Sequence, residues 1–262
     1  GAFNTAVGSA ALDANTTASN NNSFGYGSLT NNTTGSNNCA FGRDALNENQ
    51  TAGNNSAFGH NALNSNTTGY NNSSVGAFSL LLNTTGQFNT ALGKDALGAN
   101  TTGSSNVAIG SDALTLNTTG NTNVAVGDQC AVSNTTGTDN VAIGQSAFNV
   151  NTTGSDNTCV GAHALDANTG GVENVALGRH AMSNNTNGNS NTAVGMQALQ
   201  ANTTASQNTA VGNHALLSNT TAGSNTAVGH AALEQNTTGT RNTAVGHTSG
   251  NAITTGNYNA AF

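Results

Sequence analysis

A glycine recurs every 17 residues along this chain, with no insertion or deletion between its first and last copy. If this glycine is numbered slot 5, the repeating unit is Asn-Thr-Ala-Val-Gly-x-x-Ala-Leu-x-x-Asn-Thr-Thr-Gly-x-x. A strict period of this length is typical of solenoids, in which every repeat forms one coil that contacts its neighbours. We therefore predict that residues 1–262 form a single array of fifteen periods plus seven residues.

The apolar residues of the repeat come in two short bursts, slots 2 to 4 and slots 8 to 9, separated by turn-forming residues. A helix would need apolar residues three or four apart over a longer stretch, whereas short bursts between turns indicate strands. Disorder is the alternative for so polar a chain, but the fixed register of large apolar residues at slots 4 and 9 argues against it. We predict an all-β parallel β-solenoid (a β-roll or β-helix) of about 15 coils with 17 residues each.

The slot 5 glycines are the predicted corners of the coil, because glycine takes a positive φ without steric cost. They are Gly8, Gly25, Gly42, Gly59, Gly76, Gly93, Gly110, Gly127, Gly144, Gly161, Gly178, Gly195, Gly212, Gly229 and Gly246.

Slot 1 is asparagine in every copy, and stacked side-chain amides can donate to and accept from one another along a β-stack. We therefore predict a structural asparagine ladder at slot 1. Slot 12, asparagine in 14 of 15 copies, is a candidate for a second ladder. The predicted slot 1 ladder comprises Asn4, Asn21, Asn38, Asn55, Asn72, Asn89, Asn106, Asn123, Asn140, Asn157, Asn174, Asn191, Asn208, Asn225, Asn242 and Asn259.

Slots 3 and 8 hold only small residues and are mostly alanine. Alternate strand residues face opposite sides, so placing slots 2, 4 and 9 in the coil interior puts slots 3 and 8 outside. A solvated outer face would tolerate lysine, glutamate or glutamine there, and none occurs. We expect this small-residue face to pack against identical chains, as a homotrimer or in an axial filament. The alternative is a coil too narrow for larger side chains.

Charged residues make up only 6% of the chain, with 4 basic and 11 acidic residues and a net charge of −7. So few cations argue against nucleic-acid binding, and no apolar run approaches the ~18 residues of a membrane-spanning helix.

Cys39, Cys130 and Cys159 lack zinc-site spacing, which indicates small buried substitutions rather than ligands or a redox pair. We expect no cofactor. Neither end carries a polar cap of different composition, so we expect an internal segment of a longer repetitive chain or a filament subunit whose ends are covered.

Two five-residue segments, 106–110 and 140–144, read Asn-Val-Ala-Ile-Gly. They resemble the Asn-(Ser)-Val-Ala-Ile-Gly repeats of YadA-like heads of trimeric autotransporter adhesins, and the segment 191–195 and its copies resemble repeat arrays of bacterial and phage tail-fibre proteins. The resemblance implies a left-handed parallel β-roll, three chains side by side, and an extracellular adhesin or fibre role. The 17-residue unit, with its inserted Asn-Thr-Thr-Gly, departs from those shorter head repeats.

All six histidines fall in slots 6 and 7, where stacked copies such as His163 and His180 could chelate a transition metal. Those slots also hold Asp44, Asp95 and Asp112 among other polar residues, a mixture typical of a solvated edge, so we predict no metal site. No carboxylate is paired with a nucleophile, and a solenoid offers no cleft. We therefore predict that the chain is not an enzyme.

Twelve coils match the Asn-x-Thr acceptor of N-glycosylation at slots 12 to 14. Glycans spaced by one coil, ~4.8 Å, would crowd one another, and the alternative is turn chemistry of asparagine and threonine. The candidates are Asn15, Asn32, Asn49, Asn66, Asn83, Asn100, Asn117, Asn134, Asn151, Asn202, Asn219 and Asn236.

Three functions fit these features. The first is a structural extracellular fibre segment, a rigid spacer or adhesive surface at a cell or virion surface, whose host-surface or carbohydrate ligand is unspecified. The second is an ice-binding solenoid that presents the threonine rows of slots 13 and 14. The third is a self-polymerising extracellular filament.

Overall fold

The computed structural model describes all 262 residues and contains sixteen short parallel strands and no helix. The first fifteen strands occupy slots 2 to 4, and the last, of two residues, occupies slots 2 and 3. The strand register places residues 17 positions apart beside each other, such as Ala91 and Ala108. The predicted all-β parallel β-solenoid of about 15 coils is confirmed. No helix is long and apolar enough to cross a membrane.

The chain divides into two compact units, Gly1–Thr136 (the first unit) and Gly137–Phe262 (the second unit). In the first unit the strands are β1 (Thr5–Val7), β2 (Asn22–Phe24), β3 (Cys39–Phe41), β4 (Ser56–Phe58), β5 (Ser73–Val75), β6 (Thr90–Leu92), β7 (Val107–Ile109) and β8 (Val124–Val126). In the second unit they are β9 (Val141–Ile143), β10 (Thr158–Val160), β11 (Val175–Leu177), β12 (Thr192–Val194), β13 (Thr209–Val211), β14 (Thr226–Val228), β15 (Thr243–Val245) and β16 (Ala260–Ala261).

Two successive turns follow each strand and bring the chain back over the coil. In one representative coil the Ala113 N–H donates to the Gly110 carbonyl at 3.4 Å, and the Asn117 N–H donates to the Leu114 carbonyl at 3.1 Å. Within these turns Asp112 at slot 7 and Leu114 at slot 9 have φ of 57° and 51°. A left-handed conformation is unfavourable for a residue with a side chain. Its recurrence at these slots shows that the coil's packing and hydrogen bonds impose it.

The slot 5 glycines lie where the strand passes into the first turn. Gly110 has a φ of +134°, and a Cβ there would lie 2.3 Å from the Gly127 carbonyl oxygen of the next coil. Both the backbone conformation and the close stacking of coils therefore require glycine at this corner.

The interior of the coil holds slots 3, 8 and 9. Ala108 and Ala113 have no exposed surface, and Leu114 is 1% exposed. The buried slot 9 side chains agree with the sequence prediction. Most interior layers thus combine two small residues with one large one, and Ala131 and Gly250 replace the large residue in two coils.

The predicted orientation of slots 2, 3, 4 and 8 is wrong. Slots 3 and 8 face inward, whereas the large apolar residues of slot 4 face outward; Val75 is 41% exposed and Leu92 is 47% exposed. The coil is too narrow for larger side chains at slots 3 and 8, which explains the absence of lysine and glutamate there. Because these small residues are buried within a single chain, the predicted oligomer interface through slots 3 and 8 is also wrong.

Candidate functional site

The slot 1 asparagines are buried and join consecutive coils. The Asn72 side-chain Nδ2 donates to the Gly86 carbonyl at 2.9 Å, which closes its own coil. Its Oδ1 accepts from the backbone N–H of Asn89 at 3.0 Å, and its own N–H donates to Asn55 Oδ1 at 2.9 Å. The predicted asparagine ladder is therefore confirmed. Its main link runs from a backbone N–H to a side-chain oxygen, and direct amide-to-amide bonds are a second component, such as Asn106 Nδ2 to Asn89 Oδ1 at 3.2 Å.

Slot 12 forms a second ladder, in which the amides bond directly to one another. Asn66 Nδ2 donates to Asn49 Oδ1 at 2.9 Å and to the Gly69 carbonyl at 2.8 Å, and Asn66 Oδ1 accepts from Asn83 Nδ2 at 2.9 Å. This ladder stops at Ile253, which replaces the asparagine of the next coil. As a result, the buried Oδ1 of Asn236 has no hydrogen-bond partner.

The candidate glycosylation acceptors are the members of this second ladder. Apart from Asn15, which is half-buried, they have essentially no exposed surface. Asn49, for example, uses Nδ2 to donate to Asn32 Oδ1 at 2.8 Å and to the Ala52 carbonyl at 2.9 Å. The folded coil therefore does not present these nitrogens to a transferase.

The two threonine slots of the Asn-Thr-Thr turn differ in their roles. At slot 13 the hydroxyl bonds to the next coil: Thr67 Oγ1 donates to the Thr84 carbonyl, and Thr84 Oγ1 donates to the Thr101 carbonyl, both at 3.0 Å. At slot 14, Thr102 and Thr119 are exposed. The slot 13 row is thus a structural bond between coils, with its hydroxyl protons already used.

Two serine pairs inside the coil were not predicted from the sequence. The hydroxyl oxygens of Ser23 and Ser28 lie 2.5 Å apart, and those of Ser74 and Ser79 repeat the same contact. Slots 3 and 8 therefore face each other across the interior. The signal was present, since a serine at slot 3 always comes with a serine at slot 8 of the same coil. Ser249 faces an alanine instead, and its buried hydroxyl has no partner.

The outer face of the strands is formed by slots 2 and 4 and is repeated along each unit. Neither slot holds a charged residue in any coil. In the first unit Phe24, Phe41 and Phe58 stack with ring centroids 4.5 and 5.1 Å apart. In the second unit the slot 4 row is aliphatic up to Val245 and ends at Phe262. The slot 2 hydroxyls of Thr192 and Thr209 form no hydrogen bond with the protein. We call this surface the outer strand face.

The histidines of the second unit line a different edge, formed by the turn at slots 6 and 7. The rings of His163 and His180 are parallel with centroids 5.1 Å apart, and His163 Nδ1 lies 3.2 Å from Asp166 Oδ2. Burial raises the pKa of Asp166. Burial, followed by the charges of Arg179 and His163, lowers the pKa of His180.

No three histidine, cysteine or carboxylate side chains form a group that could hold a metal ion. The three cysteines are thiols: Cys130 and Cys159 lie inside the coil, and Cys39 is half-buried on the outer strand face. Burial raises the pKa of the Cys130 thiol to about 12, so this side chain is un-ionised at neutral pH. The outer strand face and the turn edge at slots 6 and 7 are two of the exposed surfaces of the coil.

Comparison of the sequence with protein-family models and with curated proteins finds no match.

Proposed function

We propose that the chain is a structural spacer segment of an extracellular fibre. The observation that supports this is the repeated set of bonds between consecutive coils: backbone hydrogen bonds, two asparagine ladders and the slot 13 hydroxyls. The bonds around Asn66, Thr67 and Asn72 are reproduced in coil after coil. In a linear array each coil depends on its neighbours, so such bonds accumulate along the array. The likeness of segment 106–110 to adhesin head repeats, and of segment 191–195 to tail-fibre repeats, supports the extracellular assignment.

Pulling the full chain by its two ends in a force spectrometer tests the spacer proposal. We expect discrete force peaks whose contour-length increments are multiples of one coil, about 60 Å for 17 extended residues. The variant Asn66→Ala should lower the force of a subset of peaks, because it removes coil-to-coil bonds. Smooth extension without any peak would refute a mechanical role.

The same proposal includes association with identical chains through the outer strand face. This face is apolar at slot 4 and uncharged throughout, and uncharged apolar rows rimmed by polar residues are typical of interaction surfaces. The pair Val194→Lys and Val211→Lys should abolish any association that wild-type chains show in sedimentation equilibrium. Thr102→Lys and Thr119→Lys at the exposed slot 14 are the matched control. A wild-type chain that stays monomeric would refute association through the outer strand face and would leave the spacer proposal unaffected.

A second candidate function is ice binding, and the structure favours a different face from the one the sequence suggested. The slot 13 hydroxyls donate to carbonyls of the next coil, as in Thr67. The slot 2 hydroxyls of Thr192, Thr209, Thr226 and Thr243 instead form no hydrogen bond with the protein and flank the slot 4 valines. A regular row of unpaired hydroxyls and methyl groups, repeated at the coil spacing of about 4.8 Å, is suited to ordering water.

Thermal hysteresis measures this second function directly. We expect Thr192→Lys with Thr209→Lys to abolish hysteresis and the slot 14 pair Thr102→Lys with Thr119→Lys to leave it intact. Loss of hysteresis only in the slot 14 pair would favour the threonine rows of slots 13 and 14 as the ice-binding surface. A wild-type protein without hysteresis would exclude ice binding.

A further inference from the structure

Five of the six histidines lie along one edge of the second unit. They occupy slots 6 and 7 in five of six consecutive coils, and we call them the histidine edge: His163, His180, His214, His230 and His247. Histidine rings in adjacent coils lie close together: the His230 and His247 centroids lie 5.1 Å apart, and those of His214 and His230 lie 6.2 Å apart. All five are half-buried or exposed, so protons and partners can reach them.

Few charged groups face this edge. Asp166 lies 3.2 Å from His163, and Arg179 adjoins His180 in the chain. Glu234 Oε1 lies 3.5 Å from His214 Nδ1, and the other ring nitrogen of His214 lies 2.9 Å from the Gln197 amide oxygen. Two carboxylates are too few to neutralise five imidazolium groups and an arginine. The edge therefore becomes cationic when the histidines are protonated.

The charge of the whole second unit changes sign with this protonation. With neutral histidines its two arginines and five carboxylates give a net charge of −3, and five added protons change it to +2. Histidine gains its proton between about pH 8 and pH 5. The groups counted are Arg179, Arg241, Asp139, Asp156, Asp166, Glu173 and Glu234.

The corresponding edge of the first unit is acidic. Arg43 pairs with Asp44 and Lys94 pairs with Asp95, but Asp112 and Asp128 in the following two coils have no salt bridge. The first unit contains only one histidine, and its net charge is −4 with that histidine neutral. It therefore stays negative when the second unit becomes positive.

We propose that, on acidification, the histidine edge of one chain binds the acidic turn edge of the first unit of a second copy. Both edges belong to slots 6 and 7 and repeat at the coil spacing of about 4.8 Å, so their opposite charges can align coil against coil. Near pH 7 the second unit of one chain and the first unit of another are both negative, so the two chains repel each other. This association goes beyond the spacer function and uses a different surface from the outer strand face.

The surroundings of two groups at this edge shift their pKa values. The lowered pKa of His180 means that this ring gains its proton at a lower pH than an ordinary histidine. The raised pKa of Asp166 means that its carboxylate is neutralised at a higher pH than an exposed aspartate. A protonated, neutral Asp166 no longer competes with the carboxylates of the partner chain for His163.

Sedimentation velocity of the full chain at pH 7 and at about pH 5, each in low and high salt, tests the proposal. We expect an increase in sedimentation coefficient at about pH 5 in low salt, reversed by added salt or by returning to pH 7. Replacing all five edge histidines by glutamine should remove this increase, and His60→Gln in the first unit should retain it. Circular dichroism of each variant at both pH values checks that the coils remain folded.

A charge-matched variant separates edge recognition from low solubility near the isoelectric point, which is about 5.0. It combines the five histidine-to-glutamine changes with neutralisation of five carboxylates away from the edge: Asp13→Asn, Glu48→Gln, Asp139→Asn, Asp156→Asn and Glu173→Gln. We expect this variant to remain unassociated at about pH 5. Association of this variant, unchanged association of the five-glutamine variant, or no pH-dependent association of wild type would each overturn the proposal. Association through the outer strand face would persist at pH 7 and in high salt.

Discussion

Ala108 and Ile109 are neighbours on strand β7, yet the small alanine is fully buried while the larger isoleucine is half-exposed. The same contrast recurs on the other strands, where slot 3 faces a narrow interior and slot 4 faces outward. In a wide globular core the larger side chain would be the buried one, because it gains more from leaving water. In this thin coil the space between facing slots 3 and 8 decides instead, and only alanine, serine or cysteine fits there.

The substitutions Ala108→Glu and Ile109→Glu test this difference between slots 3 and 4 most directly. The glutamate at slot 3 would place an unpaired charge in an interior with no exposed surface, so we expect a loss of about 4 kcal/mol or more in the free energy of unfolding. The glutamate at slot 4 can reach water, so we expect a loss of about 1 kcal/mol or less. Denaturant unfolding followed by circular dichroism measures both. Equal losses for the two variants would contradict the inside–outside assignment.

The slot 12 ladder supplies a second contrast, between Asn66, which is bonded to asparagines on both sides, and Asn236, the last asparagine of the ladder. Asn66→Ala removes two donated bonds and one accepted bond, so we expect a loss of about 2–4 kcal/mol in the free energy of unfolding. Asn236→Ala removes an amide whose Oδ1 already lacks a partner, and the expected loss is smaller by about 1 kcal/mol or more.

Extending the ladder by one residue is the converse experiment. Ile253→Asn places an amide donor next to the unsatisfied Oδ1 of Asn236, and the unfolding midpoint should rise. The same change should have no such effect in an Asn236→Ala background, where the acceptor is missing. A rise that persists in that background would show that the gain does not come from the ladder.

The repeat period, the strand positions, the buried slot 9 and the asparagine ladder followed from the sequence, because each recurs at a fixed slot with a clear physical role. The direction of slots 3 and 4 did not follow, because a three-residue strand alternates equally well in either sense. What decides it is the width of the coil, which depends on turns with positive φ at residues such as Asp112 and Leu114. Leucine at slot 9 gives no sequence signal for that conformation, and aspartate at slot 7 is a residue type that adopts it only occasionally. The co-occurrence of Ser23 with Ser28 was the one available clue that slots 3 and 8 face each other.

The serine layers give the smallest expected effects and the most specific test of that clue. Ser23→Ala removes the contact with Ser28 but leaves the Ser28 hydroxyl donating to the Gly25 carbonyl at 3.1 Å, so we expect a loss of about 1 kcal/mol. Ser249→Ala removes a buried hydroxyl that has no partner, and we expect the free energy of unfolding to rise by up to about 1 kcal/mol. We expect opposite signs because a hydroxyl lies across the coil from Ser23, whereas Ser249 faces an alanine. Ala244→Ser, which supplies the missing partner across from Ser249, should then reduce the benefit of Ser249→Ala or reverse it, as a double-mutant cycle would show.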